Sequence, residues 1–371
     1  MAMNIRSLEA IPLSVSFKQM FRFGQTNRQE SQNVVLKLET EDGLVGYGEA
    51  CPVAAFTDED QRSVVEALTQ QVAPLLIGRD ALDREPLLRV LEQRLPRAPF
   101  TRAAVDLALW DLAGKAAGVP ISVLLGGRYR ERLTLHGSVG WDEPAAMVDV
   151  AHAQLAAGYT TLKLYAGRGA LDDDLARLEA VRAAVPEHVA FLLDVNGQWS
   201  REDCLRALPR LEAIGVTLIE QPLPASDWEG QAEVTRQSTI AIAADEAVFT
   251  PMDVAEIGRH DAANVINLGL SKLGGLQCAR DCATVAYACG LGVMVGSVLE
   301  LGIATAAGAQ LAASLPDLAF PSYLVGPLKY REDVVREPLV VEDGQIAVPR
   351  RPGLGVEIDT DALRRLDKRN Q

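Results

Sequence analysis

The chain has 371 residues, 48% of them hydrophobic and 23% charged, a composition typical of a globular protein with room for one large barrel and a smaller domain. The formal net charge of −14 argues against a nucleic acid or an anionic membrane as partner, and no stretch reaches the roughly 20 apolar residues that a membrane-spanning helix needs. The first ten residues lack the charged and then apolar layout of a secretory signal, so we expect a cytoplasmic protein.

The first third of the chain shows two kinds of pattern. Residues 33–50 read NVVLKLET, EDG and LVGYGEA, two strand-like runs around Asp-Gly, and this predicts a β-hairpin. Residues 63–76 and 101–118 show helical periodicity. Strands followed by helices predict a separate α+β domain over residues 1–128.

From about residue 133 onward, short apolar runs alternate with amphipathic helical stretches. The seven runs read TLHGSVG, TTLKLYAG, AFLLDVNG, VTLIEQPL, TIAIAADEAV, NVINLGL and LGVMVGSVL. Such strands indicate a parallel sheet covered by helices, and the regular units predict an α/β fold, a TIM-type barrel of seven or eight (β/α) units, over residues 129–325. Residues 326–371 return to a hairpin pattern (PLVVEDGQIAVP) and are expected to pack back on the first domain.

Acidic residues stand where three successive apolar runs stop. Asp194, Glu220 and Asp245 follow one another at intervals of 26 and 25 residues, about one (β/α) unit each, which places them on successive strands at the same height. Three converging carboxylates repel one another unless a cation lies between them. Hard oxygen ligands favour Mg²⁺, with Mn²⁺ as a substitute. The alternative is that each acid caps a helix or pairs with an arginine.

The sequence around these acids resembles a known family. DVNGQW, IEQP and ADE, in that order, resemble the metal-binding strands of the enolase superfamily, in the pattern of its muconate lactonizing subgroup (muconate cycloisomerase and mandelate racemase-like proteins). Residues 103–127 are similar to the family's signature leading into the barrel, and GSVLELG, with Glu300, is similar to its seventh-strand motif. The resemblance covers nearly the whole chain.

This resemblance implies a site and an architecture. Asp194, Glu220 and Asp245 would bind Mg²⁺ (or Mn²⁺), with Asn196 and Glu246 close by as substrate contacts. The N-terminal domain and the C-terminal tail would cap the barrel mouth, with loops around residues 17–31 and 51–60 closing over a small carboxylate substrate. The resemblance also implies a homo-oligomer, a dimer or an octamer.

The expected bases are not present. In this subgroup a base removes the proton next to the substrate carboxylate, and the metal stabilises the resulting enediolate. The bases are usually lysines on opposite faces of the substrate. Lys163 matches the first lysine of the family's Lys-x-Lys, but Tyr165 stands where the reactive lysine belongs, and Gly269 occupies the place of the other base. Lys272 matches a further lysine ahead of the Gly-Gly pair.

The two replacements favour chemistry on one face of the substrate. Moving a proton from one face of a carbon to the other needs a group on each side, so a cycloisomerase or a dehydratase is expected before a racemase or epimerase. Lys163 and Tyr165 alternate on one strand and therefore both point into the barrel. We hypothesise that Tyr165 is the acid/base and that Lys163 lowers its pKa. Alternatively, Lys163 is the base and Tyr165 a substrate contact, or Tyr165 only fills the barrel.

Other candidate residues have weaker support. Lys272 and Glu300 are candidate catalytic residues by motif position, although Glu300 is also readable as an ordinary strand-end acid. Phe21 and Arg22 of the capping segment, together with Arg28, are candidate contacts to the distal part of the substrate, because arginine is well shaped for a carboxylate.

Two alternative functions, from other classes of protein, stay open. The first is a protein that binds a metal and a carboxylate without turnover. The second is a barrel glycoside hydrolase that uses Glu220 and Glu246 as its paired acids. The second reading predicts metal-independent activity in a cleft with aromatic platforms, and an aromatic content of 5% argues against it.

Overall fold

The computed structural model describes residues 3–23, 26–54 and 56–370, with the backbone alone at residues 21–23 and 26. The chain begins with a three-stranded antiparallel sheet of β1 (Ile5–Phe23), β2 (Thr26–Thr40) and β3 (Val45–Ala50). The predicted hairpin around Asp-Gly is confirmed, because β2 and β3 pair from Val34 opposite Ala50 to Glu39 opposite Val45.

The expected loop over residues 17–31 is wrong. Residues 17–23 and 26–31 belong to the long antiparallel ribbon of β1 and β2, which still pairs Phe21 with Arg28 beyond an irregularity that follows Ser16. The polar residues of this segment do not break the strands, because backbone hydrogen bonds across the ribbon satisfy the main chain.

Helices follow the sheet, as the periodicity predicts. They are α1 (Gln61–Glu66), a π-helical turn (Ala67–Val72), α2 (Ala73–Leu76), α3 (Arg84–Arg94), α4 (Pro99–Ala117) and α5 (Ile121–Leu124). Helix α1 starts at a capping box between Asp60 and Ser63. Helix α4 packs directly on β3, where a Cβ at Gly48 would lie 1.8 Å from the carbonyl oxygen of Ala104. Glycine is therefore required for this close approach.

The seven predicted parallel strands are confirmed. A short strand, β4 (Arg132–Thr134), precedes the parallel sheet, whose strands are β5 (Gly137–Val139), β6 (Thr161–Tyr165), β7 (Ala190–Asp194), β8 (Val216–Glu220), β9 (Ala241–Ala244), β10 (Val265–Gly269) and β11 (Gly292–Gly296). The helices that cover the sheet are α6 (Pro144–Ala156), α7 (Leu171–Ala184), α8 (Arg201–Ala213), α9 (Trp228–Gln237), α10 (Pro251–His260), α11 (Leu270–Leu273), α12 (Leu276–Ala288) and α13 (Gly302–Ser314). The strands pair in chain order, so the acids at their ends lie side by side.

The first apolar run, TLHGSVG, is not one barrel strand as expected. Its start pairs elsewhere as part of β4, and His136 lies between β4 and β5. The segment 319–323 fills the remaining gap of the barrel. The amide of Tyr323 donates to the carbonyl of Val295 in β11 (2.9 Å), and the amide of Ser322 donates to the carbonyl of Thr134 (3.0 Å). The barrel therefore has an eighth position, occupied by this extended segment.

The C-terminal part contacts both the barrel and the first sheet. It contains α14 (Gly326–Lys329), β12 (Val341–Glu342), β13 (Gln345–Ala347), α15 (Thr360–Leu366) and a 3₁₀ turn (Lys368–Asn370). The predicted hairpin of β12 and β13 is present, but it pairs with β4 instead of with the N-terminal strands. Contact with the N-terminal strands is made by Tyr330 and Asp367, which form isolated bridges to Phe17 and Leu13 of β1.

A buried acid, Glu49, joins the N-terminal sheet to the barrel. Its carboxylate accepts hydrogen bonds from the amides of Leu301 (2.7 Å) and Ala304 (3.0 Å) at the start of α13 and from the side chain of Asn33 (2.7 Å). Helix α13 has no side-chain cap of its own. Glu49 therefore satisfies helix donors that would otherwise be buried without partners.

Replacing Glu49 by alanine should lower the free energy of unfolding by about 2–3 kcal/mol, because buried amides at the start of α13 lose their acceptor. Denaturant unfolding of the two proteins measures the difference. Glu66→Ala, at an exposed position, is the matched control and should change stability by less than about 0.5 kcal/mol. Equal stability of Glu49→Ala and the parent protein would contradict this role.

No helix among the described residues is long and apolar enough to cross a membrane.

Candidate active site

The three predicted acids lie at one end of the barrel. Asp194 and Glu220 are the last residues of β7 and β8 and are paired in register, while Asp245 follows β9 directly. All three are buried, and all three line a single cavity. Lys163 and Tyr165 of β6 line the same cavity, so the alternation on that strand places both side chains inside the barrel as expected.

Two buried lysines balance the charge of these acids. The ammonium of Lys163 lies 2.7 Å from Asp194 Oδ2 and 2.8 Å from Glu220 Oε2. The ammonium of Lys272 lies 3.2 Å from Asp245 Oδ1 and also donates to the carbonyls of Asp245 (2.7 Å) and Val248 (2.8 Å). Each acid thus has a cationic partner, which buried carboxylates require.

The three carboxylates of Asp194, Glu220 and Asp245, called the acid group below, influence one another's pKa values. Burial raises the pKa of Glu220 to about 7, with Lys163 opposing this shift and the charges of Asp194 and Asp245 adding to it. Burial likewise raises the pKa of Asp194, again against Lys163 and with Asp245 adding to the rise. In the part of the chain that the structure describes, no three acids, histidines or cysteines stand close enough together to coordinate one ion as they are arranged.

Side chains that sequence reasoning missed hold the acids in place. Asn267 on β10 lines the cavity and donates to Glu220 Oε1 (2.8 Å). Gln221, in a left-handed backbone conformation (φ +37°), accepts hydrogen bonds from the amides of Asp245 (2.9 Å) and Ala247 (3.2 Å). An asparagine within the apolar run NVINLGL was the available signal for Asn267, since a polar residue inside a buried strand needs a partner.

Tyr165 lies in a setting that opposes ionisation of its phenol. Burial raises the pKa of Tyr165 well above its ordinary value, Tyr323 adds to this, and Lys163 only partly opposes it. The Lys163 ammonium is 5.6 Å from the centroid of the Tyr165 ring. Lys163 thus lowers the pKa of Tyr165 as expected, but burial outweighs the ammonium and the pKa is raised overall.

The position of the second family lysine is sterically filled. A Cβ at Gly269 would lie 3.2 Å from Cε and 3.3 Å from Cγ of Lys272, so the aliphatic part of Lys272 occupies the space beside this glycine. The ammonium of Lys272 is turned away to the Asp245 segment. Lys272 is thus placed to position the third acid, and it does not line the cavity.

The other predicted site residues lie near the cavity. Glu300 is buried, and its two oxygens accept hydrogen bonds from Ser271 (2.7 Å) and Ser297. Asn196 lines the cavity and donates to Glu246 Oε1 (3.1 Å).

Of the three candidate substrate contacts in the capping segment, the structure describes the side chain of Arg28. Arg28 donates to the carbonyl of Val298 (3.0 Å), which joins β2 to the cavity rim. The side chains of Phe21 and Arg22 lie outside the described residues, so their predicted contacts to a substrate stay predictions.

Comparison with known proteins identifies the family. Residues 9–126 match the family described as mandelate racemase / muconate lactonizing enzyme, N-terminal domain, and residues 146–362 match the one described as enolase C-terminal domain-like. The chain belongs to the enolase superfamily, in its muconate lactonizing subgroup. The α/β barrel with its N-terminal cap is the fold that this membership requires.

Individual relatives carry several activities. A chloromuconate cycloisomerase of Cupriavidus pinatubonensis is 33% identical over 95% of this chain and 96% of its own length, and an L-Ala-D/L-Glu epimerase of Bacillus subtilis is 32% identical over 94% of each. A muconate lactonizing enzyme from Pseudomonas fluorescens, solved with muconolactone, superposes with a TM-score of 0.96 at 32% identity and covers 99% of this chain and all of its own. The activities of these relatives indicate that the chain is an enzyme, and they differ in the reaction that they catalyse.

The contacts of Lys163 lead to a stability prediction. Lys163→Met leaves the carboxylates of Asp194 and Glu220 buried without their cation and should lower the free energy of unfolding by about 3 kcal/mol. Added Mg²⁺ should restore part of that loss. Thermal unfolding with and without Mg²⁺ measures both effects. Lys37→Met, which removes a partly exposed partner of Glu39, is the control and should change little. A variant as stable as the parent would show that the acids do not depend on Lys163.

Proposed function

We propose that this protein is a metal-dependent enzyme that removes a proton next to a carboxylate, or adds a group across the adjacent double bond, in a small carboxylic acid. It would act in the manner of a muconate cycloisomerase with a non-standard acid/base. The observation that carries the proposal is the placement of three buried acids on successive strand ends around one cavity that also contains Lys163 and Tyr165.

The donor set fits a hard divalent cation. Asp194, Glu220 and Asp245 offer carboxylate oxygens, the ligands preferred by Mg²⁺ and accepted by Mn²⁺. Their mutual repulsion and their pairing with ammonium groups show that the arrangement needs positive charge. When bound, the cation would offset the negative charge that develops on the substrate carboxylate as its neighbouring carbon loses a proton.

Tyr165 is the side chain proposed to carry the proton. It lines the cavity beside Asp194, its register partner on β7. In this position the phenol donates a proton to the substrate carbon on the β6 side, or its phenolate accepts one from that carbon and becomes the phenol. The proposed role of Lys163 is to hold Asp194 and Glu220 and to favour the phenolate. Burial lowers the pKa of Lys163, but the carboxylates of Asp194 and Glu220 raise it by more, so its ammonium serves as their counter-ion.

The proposed chemistry stays on one face of the substrate. Gly269 offers no functional group on the β10 side, and the ammonium of Lys272 is held by Asp245 and Val248. Cycloisomerisation and syn elimination of water fit this asymmetry, whereas racemisation requires a second base. A hydroxy-acid dehydratase is therefore the second candidate, supported by the same one-sided site.

Mg²⁺ binding is the first test of the proposal. Mg²⁺ should raise the unfolding temperature of the parent protein, because a ligand that binds only the folded state stabilises it by mass action. Glu220→Gln removes one ligand and should weaken Mg²⁺ binding by at least about tenfold, measured by calorimetric titration. Glu229→Gln is the control at an exposed position. Equal Mg²⁺ affinity of Glu220→Gln and the parent would exclude Glu220 as a ligand.

Solvent exchange tests the chemistry. In D₂O with Mg²⁺, a panel of muconates, hydroxy acids, N-acyl amino acids and dipeptides should contain at least one acid that loses its α-proton signal or forms product, as followed by proton NMR. EDTA should stop the reaction. Tyr165→Phe should slow it by at least about 100-fold, the size expected for loss of a general acid or base.

Tyr47→Phe, which removes a phenol outside the cavity, is the control for this experiment and should react at the parent rate. Full activity of Tyr165→Phe would disprove the proposed role of the tyrosine. Measurable Mg²⁺ binding with no exchange of any acid would favour a protein that binds metal and carboxylate without turnover.

A further inference from the structure

A second phenol faces the cavity from the eighth barrel position. Tyr323, at the end of the segment 319–323, is buried and lines the cavity together with Tyr165. Its segment lies between β11 and the start of β5, four positions around the barrel from β8, which carries Glu220. In a barrel of eight positions, two elements four apart lie across from each other. Tyr323 therefore faces the acid group from the opposite wall.

Tyr323 belongs to a cluster of buried polar groups with unused hydrogen-bonding capacity. Among the described residues, the Tyr323 hydroxyl, Ser138 Oγ and His136 Nε2 have no hydrogen bond of normal geometry, and all three are buried. Ser138 and Tyr165 are the polar neighbours of the Tyr323 hydroxyl and oppose the rise in its pKa that burial causes, and Tyr323 is the member of the three that lines the cavity. The rings of His136 and Tyr323 stack with centroids 4.8 Å apart and an interplanar angle of 4°. We call these three residues the polar wall. Native structures rarely leave adjacent buried polar groups unsatisfied without a ligand or water to meet them.

The polar wall consists of neutral groups. Burial lowers the pKa of His136 to about 3, so its imidazole is uncharged near neutral pH. Burial raises the pKa of Tyr323 to about 12, which leaves its phenol protonated. The Tyr323 hydroxyl both donates and accepts hydrogen bonds. A ligand hydroxyl does the same and can use both capacities, whereas a carboxylate only accepts. Apolar side chains of Phe56, Met294 and Leu299 line other parts of the same cavity.

We propose that the polar wall of Tyr323, Ser138 and His136 recognises a hydroxyl group on the substrate, so that the substrate class is a hydroxylated carboxylic acid. The inference rests on the proposed function, because the acid group must hold the carboxylate at the opposite side of the cavity. Tyr323 makes the hydrogen bond to the substrate hydroxyl. Ser138 and His136 position the phenol, His136 by stacking on its ring.

Paired ligands test this inference by equilibrium binding. The Mg²⁺-loaded protein is titrated with acids that differ by hydroxyl groups: malate and succinate, 3-hydroxybutyrate and butyrate, gluconate and hexanoate. At least one hydroxylated acid should bind about three- to tenfold more tightly than its partner, the factor expected for one net hydrogen bond. Tyr323→Phe should bring that ratio close to one while leaving the affinity for the unsubstituted acid unchanged. A merely structural role would weaken both members equally.

Two further variants keep the test decisive. Tyr287→Phe removes a phenol that donates to the carbonyl of Asp317 (2.6 Å) outside the cavity, and it should keep the parent ratio. If Tyr323→Phe does not fold, Ser138→Ala serves in its place and should reduce the ratio at least twofold.

Equal binding within every pair, a ratio that survives Tyr323→Phe, or no binding of any acid would overturn the inference. These outcomes differ from failure of the proposed function, which is the absence of proton exchange in D₂O. A hydroxyl preference that depends on Tyr323 but occurs without exchange would support recognition and reject turnover.

Discussion

Charge compensation of three buried carboxylates is the constraint on which the site depends. Asp194, Glu220 and Asp245 converge because parallel strands end at the same edge of the barrel, and burial makes each of them costly to ionise. Lys163 bridges the first two. The ammonium of Lys272 contacts both the carboxylate and the main-chain carbonyl of Asp245. A divalent cation would complete this compensation and join the three acids into one site.

The same two lysines bear on the chemistry that we propose for the site. The family pattern places reactive lysines on opposite sides of the substrate, whereas here the ammonium groups lie on the acids. The side chain of Lys272 fills the space beside Gly269, which removes one candidate base, and Tyr165 takes the position of the other. The cavity carries two buried phenols, Tyr165 and Tyr323, and burial raises the pKa of both.

Sequence patterns predicted the barrel, the hairpin and the acid group because each depends on local periodicity and on spacing along the chain. They failed where pairing is decided at long range. Residues 17–23 and 26–31 form a ribbon where a loop was expected, and the first apolar run divides because β4 pairs with β13, more than 200 residues later. The position of Tyr323 at the cavity was missed for the same reason, since this residue lies in no motif and only the closed barrel brings it there.

The most direct test of the account is a crystal structure of the protein with Mn²⁺, located by its anomalous scattering. The account predicts one strong peak bonded to carboxylate oxygens of Asp194, Glu220 and Asp245, at roughly 2.0–2.3 Å, in the cavity lined by Tyr165 and Tyr323. A structure in which Lys163 still bridges Asp194 and Glu220 and no Mn²⁺ lies among the three acids, at concentrations that stabilise the protein, would contradict the account. The strand-end acids would then form an ion-pair network instead of a metal centre.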